Sequence, residues 1–481
     1  MSQPTILRRK TKDDDLPDEI VLEILARLPV KSLLRFRCVC KSWYSSIATP
    51  NFIYNNLLYC KCKCNDHNHG FFIHMPKTTS PMVSFRRPHS QICTVASDRT
   101  FETISEFRIP FSFQSGYPHF VGSCNGILCF TDFISSKSKD AYLWNPSIRK
   151  FKRLPDTCLT QTQVLNVAHG FGYDSLNNDY KVVRISRTCA KPMLPPEVEV
   201  YSLSLNSWKR VGLEISWRPN VISYSFNGIL EFPFVNGHLH WMIEVIEGGG
   251  GQEMCFTAMI LSFDVNSEKF KELPLPDDKG SCITKCLASF KEKLALIKFG
   301  YGVQPHRLLC TIWVMRECGV FDSWNKLCVV PVESFLNFIG FSDYGLLLVH
   351  KRSQLVSANS ELESEDKSVL IDPETLHEKE ISYISNQVDN FLDVAAYMEN
   401  LALLDGANVV SYWEDSTLCI TTDVITGMDD LKLLSCFTGY SRHVSIVFFF
   451  LRNMLVLLKP LFVPRICMIL LWLWLLYISI W

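Results

Sequence analysis

Five potential zinc ligands crowd into ten residues: Cys60, Cys62, Cys64, His67 and His69. Zinc takes thiolate and imidazole, but structural sites space paired cysteines across a tight turn, typically about two to four residues apart. Alternation by one residue instead lays Cys60, Cys62 and Cys64 along one side of a strand. The expectation here is a strand running into a polar loop, with no metal and no cofactor. Other arrangements that carry chemistry are missing from the sequence: no Gly-x-Ser-x-Gly elbow, no Gly-x-x-x-x-Gly-Lys phosphate loop and no His-Glu-x-x-His helix. Histidines and carboxylates are dispersed, so no catalytic residue is assigned and the chain reads as non-catalytic.

Charge narrows the partners. Lys and Arg number 48 against 49 Asp and Glu, a net charge of -1, whereas generic affinity for nucleic acid needs a basic domain or stripe. An apolar fraction of 47% over 481 residues describes an ordered globular chain large enough for two domains. Residues 1–12 form a basic, flexible lead without the apolar run of a secretory signal. The 19 cysteines are therefore expected as reduced thiols of a protein in the cytoplasm or nucleus. Cys124 and Cys129 stand where any small apolar residue would serve.

The strongest local signal lies in residues 13–55. Pro17 occupies a position where the first helical turn tolerates a missing N–H, and Asp18 and Glu19 suit the positive end of the helix dipole. Ile20, Val21, Ile24, Leu25 and Leu28 make one apolar stripe, and Pro29 ends it. A second short helix is expected over 30–37. A third is expected over 40–47, with Cys40, Trp43 and Ile47 on one face. Three helices of this size cannot bury all their apolar surface among themselves. A partner must cover the rest, by a helix face fitting a groove.

Leu16-Pro17-Asp18-Glu19-Ile20, Leu28-Pro29-Val30-Lys31-Ser32-Leu33 and Phe36-Arg37-Cys38-Val39-Cys40-Lys41-Ser42-Trp43, followed by Pro50-Asn51-Phe52, closely resemble the F-box motif in its plant form. The resemblance implies that Leu16, Pro17, Ile20, Ile24, Leu28, Pro29, Leu33, Val39, Cys40 and Trp43 pack on a Skp-type adaptor or shape the surface that does. Through that adaptor the chain would join cullin and RING subunits of an SCF ubiquitin ligase.

From about residue 85 the helical period gives way to short strand-like runs bounded by Gly, Asn, Pro and Asp. Asn125-Gly126 and Asn236-Gly237, each between apolar stretches, are hairpin signals. A strand, polar turn and aromatic strand recurs around Asn145, Asn206, Asn266, Asp322 and Asp372, at spacings of 61, 60, 56 and 50 residues. Such a period points to repeated β units, as in propellers. It is looser than a kelch repeat, so a propeller-like all-β domain is favoured over a strict kelch assignment. Gly122-x-x-Asn125-Gly126, Trp144-Asn145-Pro146-Ser147, His169-Gly170-Phe171-Gly172-Tyr173-Asp174 and Asp179-Tyr180-Lys181-Val182-Val183 resemble the plant F-box-associated domain. That resemblance implies a part that presents a protein target for ubiquitination and degradation. Single tryptophans such as Trp144 and Trp208 are expected in the core, and the acidic stretch 357–368 as an exposed loop. Which residues contact the target is unknown from the sequence.

The resulting division is a flexible lead at 1–12, a three-helix F-box module at 13–55, a connecting segment at 56–94 and the mostly-β, propeller-like domain at 95–410. An extension at 411–443 and an apolar C-terminal tail at 444–481 follow. The last sixteen residues carry no charge, slightly short of the roughly twenty that span a bilayer. Two readings of the tail stand: a membrane anchor or shallow hairpin, or an ending substituted by splicing. The competing functional reading is a membrane-tethered propeller scaffold or ligand-binding protein with no ligase role.

Overall fold

The computed structural model describes residues 16–412, apart from 66–70, 78–91, 98–102, 114–117, 133–139, 158–163, 189–195, 214–220, 227–232, 248–254, 277–283, 302–307, 333–335, 343, 357–361, 382–390 and 404–407. The basic lead, the extension beyond 412 and the apolar tail lie outside the described residues.

Four helices open the chain: α1 (Asp18–Ala26), α2 (Val30–Phe36), α3 (Lys41–Ile47) and α4 (Pro50–Asn65). Pro17 precedes α1, with Asp18 and Glu19 in its first turn, as the dipole argument requires. Pro29 separates α1 from α2, and Cys40 Sγ caps α3 by accepting the Trp43 N–H at 3.4 Å. The fourth helix corrects the three-helix expectation. Thr49 Oγ1 accepts the Phe52 N–H at its start, Pro50 sits where no N–H is needed, and Phe52 and Leu57 turn inward. The strand expected through Cys60–Cys64 is therefore helix. On a helix Cys60 and Cys64 lie one turn apart and Cys62 on another side, so the alternation that pointed to a strand has no common face. Among the described residues no group of three His, Cys, Asp or Glu could hold a metal; His67 and His69 lie outside them.

The segment at 56–94, expected as a connection, carries the second half of α4, then β1 (Phe71–Lys77) and the start of β2 (Ile92–Ser97). Next come β3 (Thr103–Arg108), β4 (Pro118–Cys124), β5 (Ile127–Asp132), β6 (Ala141–Asn145) and β7 (Lys150–Arg153). β8 (Val164–Asp174), β9 (Asp179–Thr188), β10 (Glu197–Ser202) and β11 (Ser207–Val211) follow. After them run β12 (Val221–Phe226), β13 (Phe234–Val235), β14 (His238–Glu247), β15 (Cys255–Asp264) and β16 (Lys269–Pro274). Then come β17 (Thr284–Phe290), β18 (Lys293–Tyr301), β19 (Leu308–Met315) and β20 (Trp324–Val332). The last six are β21 (Leu336–Phe341), β22 (Leu347–Val356), β23 (Leu362–Ile371), β24 (Glu378–Glu380), β25 (Phe391–Tyr397) and β26 (Val409–Ser411). Much of the acidic stretch expected as a loop is thus the start of β23.

Among the described residues these strands form six antiparallel sheets: I (β25-β1-β2-β3), II (β26-β7-β6-β5-β4), III (β8–β11), IV (β12–β16), V (β17–β20) and VI (β21–β24). Contacts run from β4 to β8, β14, β17, β21 and β25, then back to β4, so the sheets form a propeller. Sheet I closes it by pairing a C-terminal strand with three N-terminal ones: Phe71 lies opposite Tyr397 and Lys77 opposite Phe391.

Turn chemistry explains the repeat seen in the sequence. Each recurring element is the last hairpin turn of its sheet, in II through VI. Asp264 Oδ1 accepts the Asn266 N–H and Asp372 Oδ1 the Glu374 N–H, each at 2.9 Å, and Asn145 Oδ1 accepts the Ser147 N–H at 3.0 Å. Asn125-Gly126 and Asn236-Gly237 adopt positive φ at both positions, as a two-residue type I′ hairpin demands. Gly170 and Gly172 leave room between sheets: a Cβ would stand 2.6 Å from Trp241 and 2.8 Å from Phe234.

Apolar clusters fill the seams. Val183, Ile185, Val198 and Val200 of sheet III meet Leu239, Trp241 and Leu261 of sheet IV. Phe120, Phe130 and Trp144 of sheet II meet Cys93, Val95 and Tyr397 of sheet I. Trp144 is fully buried, whereas Trp208 is half-buried and donates its indole N–H to Pro155 O at 2.7 Å.

Candidate functional site

The helical module sorts its apolar residues into two groups. Leu25, Leu28, Val30, Leu33, Phe36 and Ile47 are buried, as are Phe52 and Leu57 from α4. Asn56, fully buried, donates Nδ2 to Ala26 O at 2.8 Å and Leu28 O at 3.3 Å, satisfying carbonyls at the end of α1. The second group stays in water: Ile20 is 44% exposed, Ile24 39% and Val39 52%. Large side chains left open at this density, rimmed by Asp18, Glu19, Lys41 and Ser42, mark a surface made for another polypeptide.

The ten residues singled out in the sequence divide accordingly. Ile20, Ile24, Val39, Cys40, Pro17 and Pro29 are exposed, and Leu16 and Trp43 are half-buried. Leu28 and Leu33 belong to the core beneath that surface and shape it from below. Trp43 packs edge-on against Phe36, ring centroids 5.6 Å apart. Sequence reasoning missed Tyr44, an exposed ring with the Arg37 guanidinium 4.1 Å above it. It also missed Asn56. No sequence pattern marks Asn56, because its role depends on carbonyls about thirty residues away.

The module leans on the β domain through a polar junction. α2 touches the turn Pro146–Ile148, and Lys61 Nζ lies 5.3 Å from the centre of the Tyr173 ring. Burial pushes the Tyr173 hydroxyl up to about 12, with Tyr54, Cys124, Asp174 and Asp179 adding to it. The Cys124 thiol is likewise raised by burial to about 12, Lys61 pulling it back. Burial raises the Glu399 carboxyl against the opposing influence of Lys31. These groups are therefore protonated or paired at neutral pH, and none has the depressed pKa of an activated nucleophile.

Comparison with known proteins places these features. An F-box domain matches residues 14–55, and an F-box associated beta propeller domain matches residues 63–393. An F-box/kelch-repeat protein of Arabidopsis thaliana is 31% identical over 355 residues, covering 72% of this chain and 88% of its own length. Two F-box proteins of the same plant are 28% and 26% identical, covering 68% of this chain and 77% of their own lengths. Helices with an uncovered apolar face, a propeller in the expected order and relatives matched over most of their length converge: the chain belongs to the plant F-box proteins with an F-box associated β-propeller domain, whose general role is that of SCF substrate adaptor.

Proposed function

We propose that the chain is the substrate-recognition subunit of an SCF ubiquitin ligase in the cytoplasm or nucleus. In this reading the exposed face of α1 and the α2–α3 corner binds the Skp-type adaptor and, through it, the cullin and RING subunits. The β domain holds a protein target, and ubiquitin chemistry is left to other subunits. The observation that carries the reading is the exposure of Ile20, Ile24 and Val39 on a module whose other apolar residues are buried. Burying side chains of this kind in a partner's groove contributes about 1.5–3 kcal/mol each.

The test is affinity for a purified plant Skp adaptor. Ile20→Asp with Val39→Asp should weaken binding by about 100-fold or more while leaving the melting temperature unchanged, because both residues face water. Unaltered adaptor binding in that variant rejects the proposal.

A further inference from the structure

The seam between sheets II and III differs along its length. Val183, Ile185, Val198 and Val200 point to sheet IV, so their strand neighbours Arg184, Ser186, Glu197 and Glu199 point the other way, to sheet II. Phe130 points to sheet I, so Thr131 points to sheet III. Register groups these residues tightly. Arg184 lies opposite Glu199, and Ser186 opposite Glu197 two positions further along the same face. Directly opposed side chains begin only about 5 Å apart. The group sits toward the start of β8, where Val167 faces Ser186; Tyr173, which meets the helical module, is near the other end.

Arg184, Ser186, Glu199 and Thr131 are more than nine-tenths buried. Yet Arg184 Nε, Ser186 Oγ, Thr131 Oγ1, Glu197 Oε2 and Glu199 Oε1 are buried with no hydrogen-bond partner among the described residues. Unmet buried polar atoms cost about 1–3 kcal/mol each, so five in one place call for an occupant. Only the second Glu199 oxygen is met, by the Thr157 hydroxyl.

Charge and chemistry select the occupant. Two carboxylates disfavour an anion, and the Arg184 guanidinium disfavours a cation. What is offered is one fixed N–H, two hydroxyls and two carboxylate oxygens. A carboxamide is the smallest neutral group that answers them all: its C=O accepts from Arg184 Nε and a hydroxyl, and its two N–H donate to Glu197 and Glu199.

We propose that this end of the seam between sheets II and III is a recognition site for a carboxamide, as carried by an asparagine or glutamine side chain or by a small free amide. As a target-reading site it rests on the reading of the β domain as the part that holds the target.

Saturation-transfer NMR on the full chain tests it, with N-acetyl-glutaminamide, its glutamate counterpart and propionamide as probes. Saturable binding of the glutamine probe is expected, with the glutamate counterpart weaker by about tenfold or more. Ser186→Ala should weaken the glutamine probe about fivefold, and Glu199→Gln should weaken it further, with thermal melts confirming that both variants are folded. If propionamide binds as tightly as the glutamine probe, a free amide is sufficient. If only the glutamine probe binds, the amide is borne by protein. No saturation by either amide, equal binding of glutamate, or indifference to Ser186→Ala overturns the proposal. Adaptor binding is measured on the same samples. Loss of amide binding with adaptor binding intact counts against this site alone.

Discussion

Asn145 Nδ2 donates to Asn400 Oδ1 at 2.8 Å, joining residues 255 positions apart. The same Nδ2 meets Asn400 O at 3.1 Å and Ala402 O at 2.8 Å, while Asn145 Oδ1 holds the following turn. One buried amide thus ties the third strand of sheet II to the chain just after β25, beside the closure of the propeller.

Replacing Asn145 with Leu should lower the stability of the β domain by about 2–4 kcal/mol, because several buried acceptors lose their donor at once. Chemical denaturation followed by tryptophan fluorescence measures it. A loss below about 0.5 kcal/mol would mean that the closure does not depend on this amide.

Lys181 makes a second long-range tie. Its Nζ lies 2.6 Å from Asp174, 2.9 Å from Glu268 and 2.9 Å from Val265 O, bridging sheets III and IV. Burial alone would lower its pKa, but hydrogen bonds to the two carboxylates outweigh that and raise it. Lys181→Met should cost about 3–5 kcal/mol, since it leaves two carboxylates close together without their cation. Adding Asp174→Asn should restore part of the loss, a comparison best made by a double-mutant cycle of melting curves.

His240 sets an acid limit. It is fully buried, and burial first, with His238 adding to it, lowers its pKa to about 4 from an ordinary 6.5, against an opposing hydrogen bond to Pro233. The unfolded imidazole takes its proton near 6.5 and the folded one only near 4. Stability is thus fully present above 6.5 and falls as pH drops through that window, by on the order of 3 kcal/mol. His169, lowered well below its ordinary value by burial, Arg184 and His119, acts in the same direction. Denaturant midpoints between pH 7 and 4.5 should fall, and His240→Gln should flatten the slope. An unchanged slope in the variant would remove His240 from the account.

Leu33 separates core from surface in the helical module. It is fully buried, so Leu33→Ala should cost about 2–5 kcal/mol and reduce adaptor binding by loosening the helices. Ile24→Asp should reduce binding without moving the melting temperature. If Leu33→Ala left the melting curve of the module in place, the division into two layers would be wrong.

Much of this architecture was legible in the residues. Pro17 and Pro29 set the limits of α1, and Asn-Gly pairs and Asx turns gave the hairpins, because these signals act within a few positions. What stayed hidden depends on distance along the chain. α4 was missed because its cysteine alternation imitates a strand, while its actual cause, the Thr49 cap and inward Phe52 and Leu57, takes meaning only from α1 beside it. The pairing of β1 with β25 was hidden for the same reason. Of the ten adaptor-facing residues, the sequence could not tell Leu28 and Leu33 from Ile20 and Ile24, since all four sit on one apolar stripe or its continuation. The seam of Arg184 and Glu199 was invisible too, since alternation reveals which residues share a face but not which sheet that face meets.

Sheet I also has a consequence for biosynthesis. The helical module and β1 to β3 leave the ribosome early, whereas the strand that completes their sheet is translated near the end of the β domain. Until β25 emerges, β1 exposes an unpaired backbone edge, the kind of surface on which nascent chains aggregate or recruit chaperones. A transcript truncated before residue 391 would therefore leave the adaptor grip intact on an unclosed ring, a competitor for the ligase with no finished receptor.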